Sequence, residues 1–264
     1  MANERKKVGL ALGSGGARGF CHIGVLKVLT DNGIPVDCVS GCSMGSLIGG
    51  CYCAGATADK MMEMAPRITQ MSIMDLNISN KKAGLVKGQR AMRIVEKLIG
   101  NPRIEDCAVP FAATATEICS GTLVTFTEGS LLDAIRASIS IPGVFHVVSD
   151  KDNRYFVDGG VLERVPIAAV KALGADVVIA VDAIGPIEAD FADTDDFFNV
   201  LQRSINLMDW RHTKDTFAGA DIVISPEQGF KNTFIFKDNE ASVESGIRAA
   251  EKALPEIRAL LGLL

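Results

Sequence analysis

The chain has 264 residues, of which 48% are hydrophobic and 22% charged, and its net charge is −5. That length suffices for one large core, and the acidic balance gives no reason to expect nucleic acid as a partner. No run of about 18 apolar residues occurs, which speaks against a transmembrane helix and leaves only peripheral membrane contact.

The charged start, Met1 to Lys7, leads directly into a strand, so no secretory leader is expected. Seven scattered cysteines, an odd number in mostly apolar surroundings, fit small core residues in a reduced, cytoplasmic setting. Lys7–Leu12 reads as a strand, Gly13–Gly19 as a glycine-rich turn, and Phe20 to about Asn32 as a helix. The strand Pro35–Ser40 then runs into Gly41-Cys42-Ser43-Met44-Gly45, and the small residues Ser46–Ala54 read as a closely packed helix.

Residues 57–86 carry five of the nine methionines, read either as flexible filler in a helix pair or as an adaptable wall over a greasy substrate. A helix is expected from about Gly88 to Ile99. Val109–Thr116 and Gly121–Thr127 look like a strand pair, followed by a helix over Ser130–Ala137. Strands are expected near Val144–Val148 and Arg154–Val157, a helix over Pro166–Leu173 and a strand over Asp176–Val181. The acidic run Glu188–Asp196 reads as a solvated loop before a helix Asp196–His212. Asp221–Ser225 is a last strand, and the chain ends in helices broken at Pro255. The apolar spacing in Ile247–Leu264 fits core packing or a dimer contact, with membrane docking as the alternative. Strands alternating with helices predict one α/β domain over residues 1–264, a three-layer α/β/α sandwich with a mainly parallel sheet.

Three segments carry chemistry. Ser43 lies on a sharp strand-to-helix turn, where Gly41 and Gly45 tolerate the backbone; this is the pattern of a nucleophile elbow. The turn Gly13–Gly19 has two readings. It could cradle a dinucleotide pyrophosphate, with Asp37 on the ribose, but Arg18 replaces the third glycine and Asp37 sits inside the strand leading to Ser43. Alternatively, the amides of Gly15 and Gly16, with Ala17 close by, form an oxyanion hole beside Ser43, and Arg18 anchors the loop or adds positive potential.

A serine also needs a base. Among three histidines, His22 reads as structural, His146 as core or site-lining in an apolar strand, and His212 as exposed. Asp158, closing the strand Tyr155-Phe156-Val157 ahead of Gly159-Gly160, is the better candidate, since a desolvated carboxylate has its pKa raised toward working pH. No metal or other cofactor is expected.

Gly13–Gly19, Gly41–Gly45 and Asp158-Gly159-Gly160, in that order, resemble the patatin-like phospholipase family, particularly its small bacterial members. The resemblance covers about residues 7–225, with a helical segment of about 239–264 beyond it. It implies an α/β-hydrolase-related fold and a Ser–Asp dyad, carried here by Ser43 and Asp158. It also implies an oxyanion segment at Gly15, Gly16 and Arg18, and metal-free cleavage of lipid acyl esters through an acyl-enzyme. His22 matches a family-typical position. Two features depart from the family: Glu163-Arg164 stands where an asparagine pair is common, and His146 where proline or another residue is more usual. The expected partner is thus a lipid or acyl ester, with oligomeric state open. A scaffold of the same fold with vestigial activity, or an acyltransferase, are the rival readings.

Overall fold

A computed structural model describes residues 5–73, 75, 86–186, 197–228 and 235–263, leaving aside the side chains of 197–199, 202 and 212. The acidic run Glu188–Asp196 and Met74 lie outside the described residues, as does the side chain of His212.

The elements in chain order are β1 (Val8–Leu12), α1 (Cys21–Asp31), β2 (Cys38–Cys42), α2 (Met44–Cys53), α3 (Ala58–Met64), α4 (Gln70–Ile73) and α5 (Gln89–Ile99). There follow β3 (Phe111–Glu117), β4 (Thr122–Phe126), α6 (Leu131–Ser138), β5 (Val148–Ser149), β6 (Tyr155–Asp158) and α7 (Ile167–Ala172). The chain closes with β7 (Val177–Val181), α8 (Phe197–Thr216), β8 (Ile222–Ile224) and α9 (Asn239–Leu261). The strands form one sheet in the order β5-β6-β3-β2-β1-β7-β8, with β4 also on β3. It is parallel from β3 to β8 and antiparallel where β4, β5 and β6 join.

Side chains alternate along these strands as the pleat requires. On one face Val8, Leu10, Leu12, Ile179 and Val181 join the large core with α1, α2 and α9. On the other, Ala11, Val178 and Ala180 pack on Ile167 and Val170 of α7. Helices therefore cover both faces, which is why the central strands read as continuous apolar runs.

The topology brings two distant segments together at β3. Its outer edge carries β4 along Ala113–Glu117. A strand has only two edges, so β2 and β6 share the other one. There β2 runs parallel as far as Cys42 opposite Thr114, and β6 arrives antiparallel with Asp158 opposite Ala115. The two carboxyl ends thus meet head to head, one β3 residue apart.

Two expectations require correction. Pro255 lies inside a continuous α9 instead of breaking it. The ring removes one hydrogen bond, but the freed carbonyl belongs to exposed Glu251, and Leu254, Ile257 and Leu260 on either side are anchored in the core. Helices α9 and α1 pack at glycine contacts: a Cβ on Gly24 would strike the Val243 carbonyl, and one on Gly246 the Cys21 carbonyl. Val144–Val148 forms no strand of that length either. Gly143, at φ 79°, turns the chain, Phe145 makes a single bridge to Val86, and only Val148–Ser149 joins the sheet. The methionine-rich stretch forms the short helices α3 and α4 over its described part.

Candidate active site

Ser43 leaves β2 with φ 53° and ψ −120°, a left-handed conformation that an L residue adopts only under constraint. Four bonds hold it there. Its N–H donates to the Ser138 hydroxyl at 2.8 Å, and its carbonyl accepts from Ser46 N, Leu47 N and the Ser46 hydroxyl at 2.9, 3.1 and 2.7 Å. Gly41 is required because a Cβ would meet Ser46 Cα at 2.5 Å. Gly45 is required because a Cβ would press on the Leu12 carbonyl and lie 2.7 Å from that of Gly13. The elbow is thereby wedged against the loop that leaves β1.

Asp158 ends β6 almost fully buried. Its Oδ1 accepts the Gly160 N–H at 2.8 Å and faces the Cys42 thiol at 3.7 Å. The Ser43 side chain lies close enough to the same carboxyl group to lower its pKa. Burial pushes Asp158 up to about 6; Ser43, Gly160 and Cys42 oppose that rise, and the charge of Asp209 adds to it. A hydroxyl on a strained turn thus meets a carboxylate that takes up protons near neutrality. Gly159 packs so closely on β3 that a Cβ would lie 2.6 Å from the Thr114 carbonyl.

The profile of the patatin-like phospholipase family matches residues 10–171, spanning all three motifs. The chain belongs to that family. An uncharacterized NTE family protein of Mycobacterium tuberculosis, Rv1063c, is 39% identical over 180 residues, 68% of this chain and 49% of its own. Lysophospholipase NTE1 of Coccidioides immitis is 36% identical over 187 residues, 69% of this chain and 12% of its own. Among solved structures, VipD from Legionella pneumophila superposes with a TM-score of 0.53 at 15% identity, over 97% of this chain and 67% of that one. This patatin-like domain therefore spans about half the length of its mycobacterial relative and a small part of the fungal one.

In the patatin-like domain the residues expected to form an oxyanion hole lie on the loop that leaves β1. Gly16–Phe20 form one 3-10 turn, tied by Arg18 N–H to the Gly15 carbonyl at 3.0 Å. Gly16, at φ 53°, lines the same cavity as Ser43. Ala17 and Arg18 are buried, and the Arg18 carbonyl accepts from Gln228 Nε2 at 3.0 Å. Gly13 fixes the loop on one side, where its N–H reaches the Val181 carbonyl at 3.0 Å. Asp37 lies at the opposite end of the sheet, bound to Arg5 at 2.6 Å and Val8 N–H at 2.7 Å, far from any phosphate the turn could cradle. That geometry removes the dinucleotide reading.

The cavity extends from Ser43 between α2, α3 and α5, with about 880 Å³ of empty space including its open mouth. Phe20, Leu47, Ile48, Met61, Met64 and Val95 are among its apolar walls. The methionines divide: Met61 and Met64 face the cavity, Met62 packs on the core, and Met71 is exposed. Composition alone could not separate those roles. Ser138 was likewise invisible in the sequence, since its part depends on where α6 ends.

His22 is buried, with Nε2–H donating to the Gly13 carbonyl at 2.7 Å and no partner for Nδ1. Burial holds its pKa down at about 4, so it is a neutral strut under the glycine-rich turn. Between the ordinary value of 6.5 and about 4, the unfolded chain binds a proton that folded His22 refuses. Acidification through that window should therefore cost up to roughly 3 kcal/mol of stability. Asp158 moves the opposite way over nearly the same range, so urea unfolding should be read as wild type minus His22→Gln. That difference should shrink toward acid pH. His146 lies in the irregular segment between the Phe145 bridge and β5, not in a strand, with its N–H on the Val86 carbonyl and its own carbonyl accepting from Arg136.

Proposed function

We propose that this patatin-like domain is a serine hydrolase of lipid acyl esters. The carrying observation is that strained Ser43 and buried Asp158 meet where β2 and β6 end on neighbouring residues of β3, with Ser43 at an apolar cavity. Because Oδ1 accepts from Gly160 and faces Cys42, this reading gives the other oxygen of Asp158 the role of receiving the serine proton.

Ser43 Oγ attacks the ester carbonyl as its proton passes to Asp158. The carbonyl oxygen becomes an oxyanion facing the Gly15–Ala17 amides and the N–H of Met44, the first residue of α2. Asp158 returns the proton to the departing alcohol, leaving an acyl-enzyme on Ser43. Water, deprotonated by Asp158, attacks that ester and releases the fatty acid and the free serine.

The acyl chain occupies the cavity, whose methionines adapt to its shape. The name of the Coccidioides relative makes monoacyl phospholipids the first substrates to test. A cytoplasmic site of action with peripheral contact at a lipid surface goes with this reading, and among the described residues no helix is long and apolar enough to cross a membrane.

A fluorophosphonate probe should label the wild type and leave Ser43→Ala unlabelled. On a neutral ester, kcat/KM should fall about tenfold per pH unit below an apparent pKa near 6, as the base becomes protonated. Labelling that survives Ser43→Ala, or an acid limb near 4, would refute the assignment.

A further inference from the structure

Among the described residues Arg164 is one of the largest fully buried side chains, and nothing in the dyad chemistry uses it. A buried guanidinium must be paired, and this one is paired twice: with Asp182 at 2.9 Å and with Asp209 of α8 at 2.8 Å. Trp210, the sole tryptophan, lies with its ring centroid 5.4 Å from the guanidinium carbon. One cation against two carboxylates is a costly cluster to bury, so its position matters more than its net energy.

That position is under the oxyanion turn. The Arg164 carbonyl accepts the Ser14 N–H at 2.9 Å, and Val165 packs 2.9 Å from where a Gly13 Cβ would be. On the other flank the Val181 carbonyl takes the Gly13 N–H, and Ala183 lies 2.8 Å from where a Gly15 Cβ would be. Asp182 sits between those two contacts, and its Oδ1 accepts the Ile184 N–H at 3.2 Å. Two chain segments therefore grip Gly13–Gly15 by their main chains, and the Arg164–Asp182 ion pair fastens one segment to the other.

We propose that Arg164 is a positioning residue for the oxyanion turn, acting as a clamp closed by Asp182 and braced against α8 by Asp209. The clamp rests on the reading of Ser43 and Gly15–Ala17 given above. It acts on the transition state and not on the acyl cavity, which opens on the opposite helical layer of α2, α3 and α5. A lysine reaches one carboxylate at a time and cannot span both as the planar fork does.

The test compares wild type, Arg164→Lys, Asp182→Asn and Ser43→Ala on a p-nitrophenyl ester, with far-UV circular dichroism and Trp210 emission as checks of folding. Arg164→Lys should lose about 10²-fold in kcat, as expected for a misplacement of the order of 1 Å, with KM within about twofold. The second-order rate of fluorophosphonate labelling should fall in parallel, because phosphonylation uses the same donors. Asp182→Asn keeps the shape and leaves Arg164 paired with Asp209, so it decides the matter if Arg164→Lys does not fold; it should lose about tenfold in kcat with KM unchanged. A folded Arg164→Lys with wild-type kcat and labelling rate would overturn the clamp, as would a loss confined to KM. So would wild-type kcat in Asp182→Asn. Activity persisting in Ser43→Ala would instead place the error in the dyad reading.

Discussion

Asp158→Asn is expected to abolish turnover and, above pH 6, to make the protein more stable. Asparagine keeps the acceptor for the Gly160 N–H and offers Ser43 a hydrogen bond, but it cannot take a proton. The loss should be about 10³–10⁴-fold in kcat, the upper range for a positioned general base. The gain follows from the same burial that makes Asp158 useful. Its folded pKa near 6 lies above the ordinary 3.8, so at neutral pH the folded state holds a carboxylate that would prefer water. That difference amounts to roughly 3 kcal/mol.

As pH falls through 6, the folded protein takes up the proton first and the penalty fades, disappearing near 3.8. Asp158→Asn should therefore raise Tm by roughly 5–10 °C at pH 8 and by nothing near pH 4. Differential scanning calorimetry of the two proteins across that range checks both halves. A destabilised Asp158→Asn at pH 8 would mean that the carboxylate is held by favourable contacts that outweigh its desolvation.

The second large effect is on folding. Gly45→Ala should cost about 3–4 kcal/mol, near the top of what one added methyl does, and with it most of the activity. The new Cβ would meet only backbone: the Leu12 carbonyl, and the Gly13 carbonyl at 2.7 Å. Neither can retreat without dragging the end of β1 and the oxyanion turn away from Ser43. Gly33→Ala is the control, because its φ is 66° but nothing lies within 4 Å of the added atom. There only the backbone preference is lost, about 1 kcal/mol. Denaturant unfolding that gave both variants the same midpoint would show that the elbow can relax around the methyl group.

Much of this was legible in the residues. The glycine pairs around Ser43 and after Asp158 announce places where chains touch without side chains, and the continuous apolar runs announce strands buried on both faces. Asp158 stood out because a carboxylate closing an apolar strand is chemically conspicuous. Errors arose where context overrides local rules. Pro255 breaks an isolated helix but not one anchored on both sides by core leucines and isoleucines. Val144–Val148 has strand-like residues, yet Gly143 redirects its backbone to Val86. Asp37 fitted a ribose by spacing alone, whereas the sheet puts it at the wrong end.

The order of residues by itself pointed to the family, to the alternation of strand and helix, and to Ser43 and Asp158 as the candidates for acyl transfer. Those depend on short-range chemistry: glycine's missing Cβ, the pleat's period and the burial preference of apolar groups. Only the tertiary structure decided that β2 and β6 end against each other, because both occupy the one edge of β3 that β4 leaves open. It also decided that Arg164 and Asp182 pair beside Gly13–Gly15, and that methionines on α3 face a cavity. Each of these is a meeting of residues far apart in the chain, and such meetings are set by how strands share hydrogen-bonding edges, which no local pattern encodes.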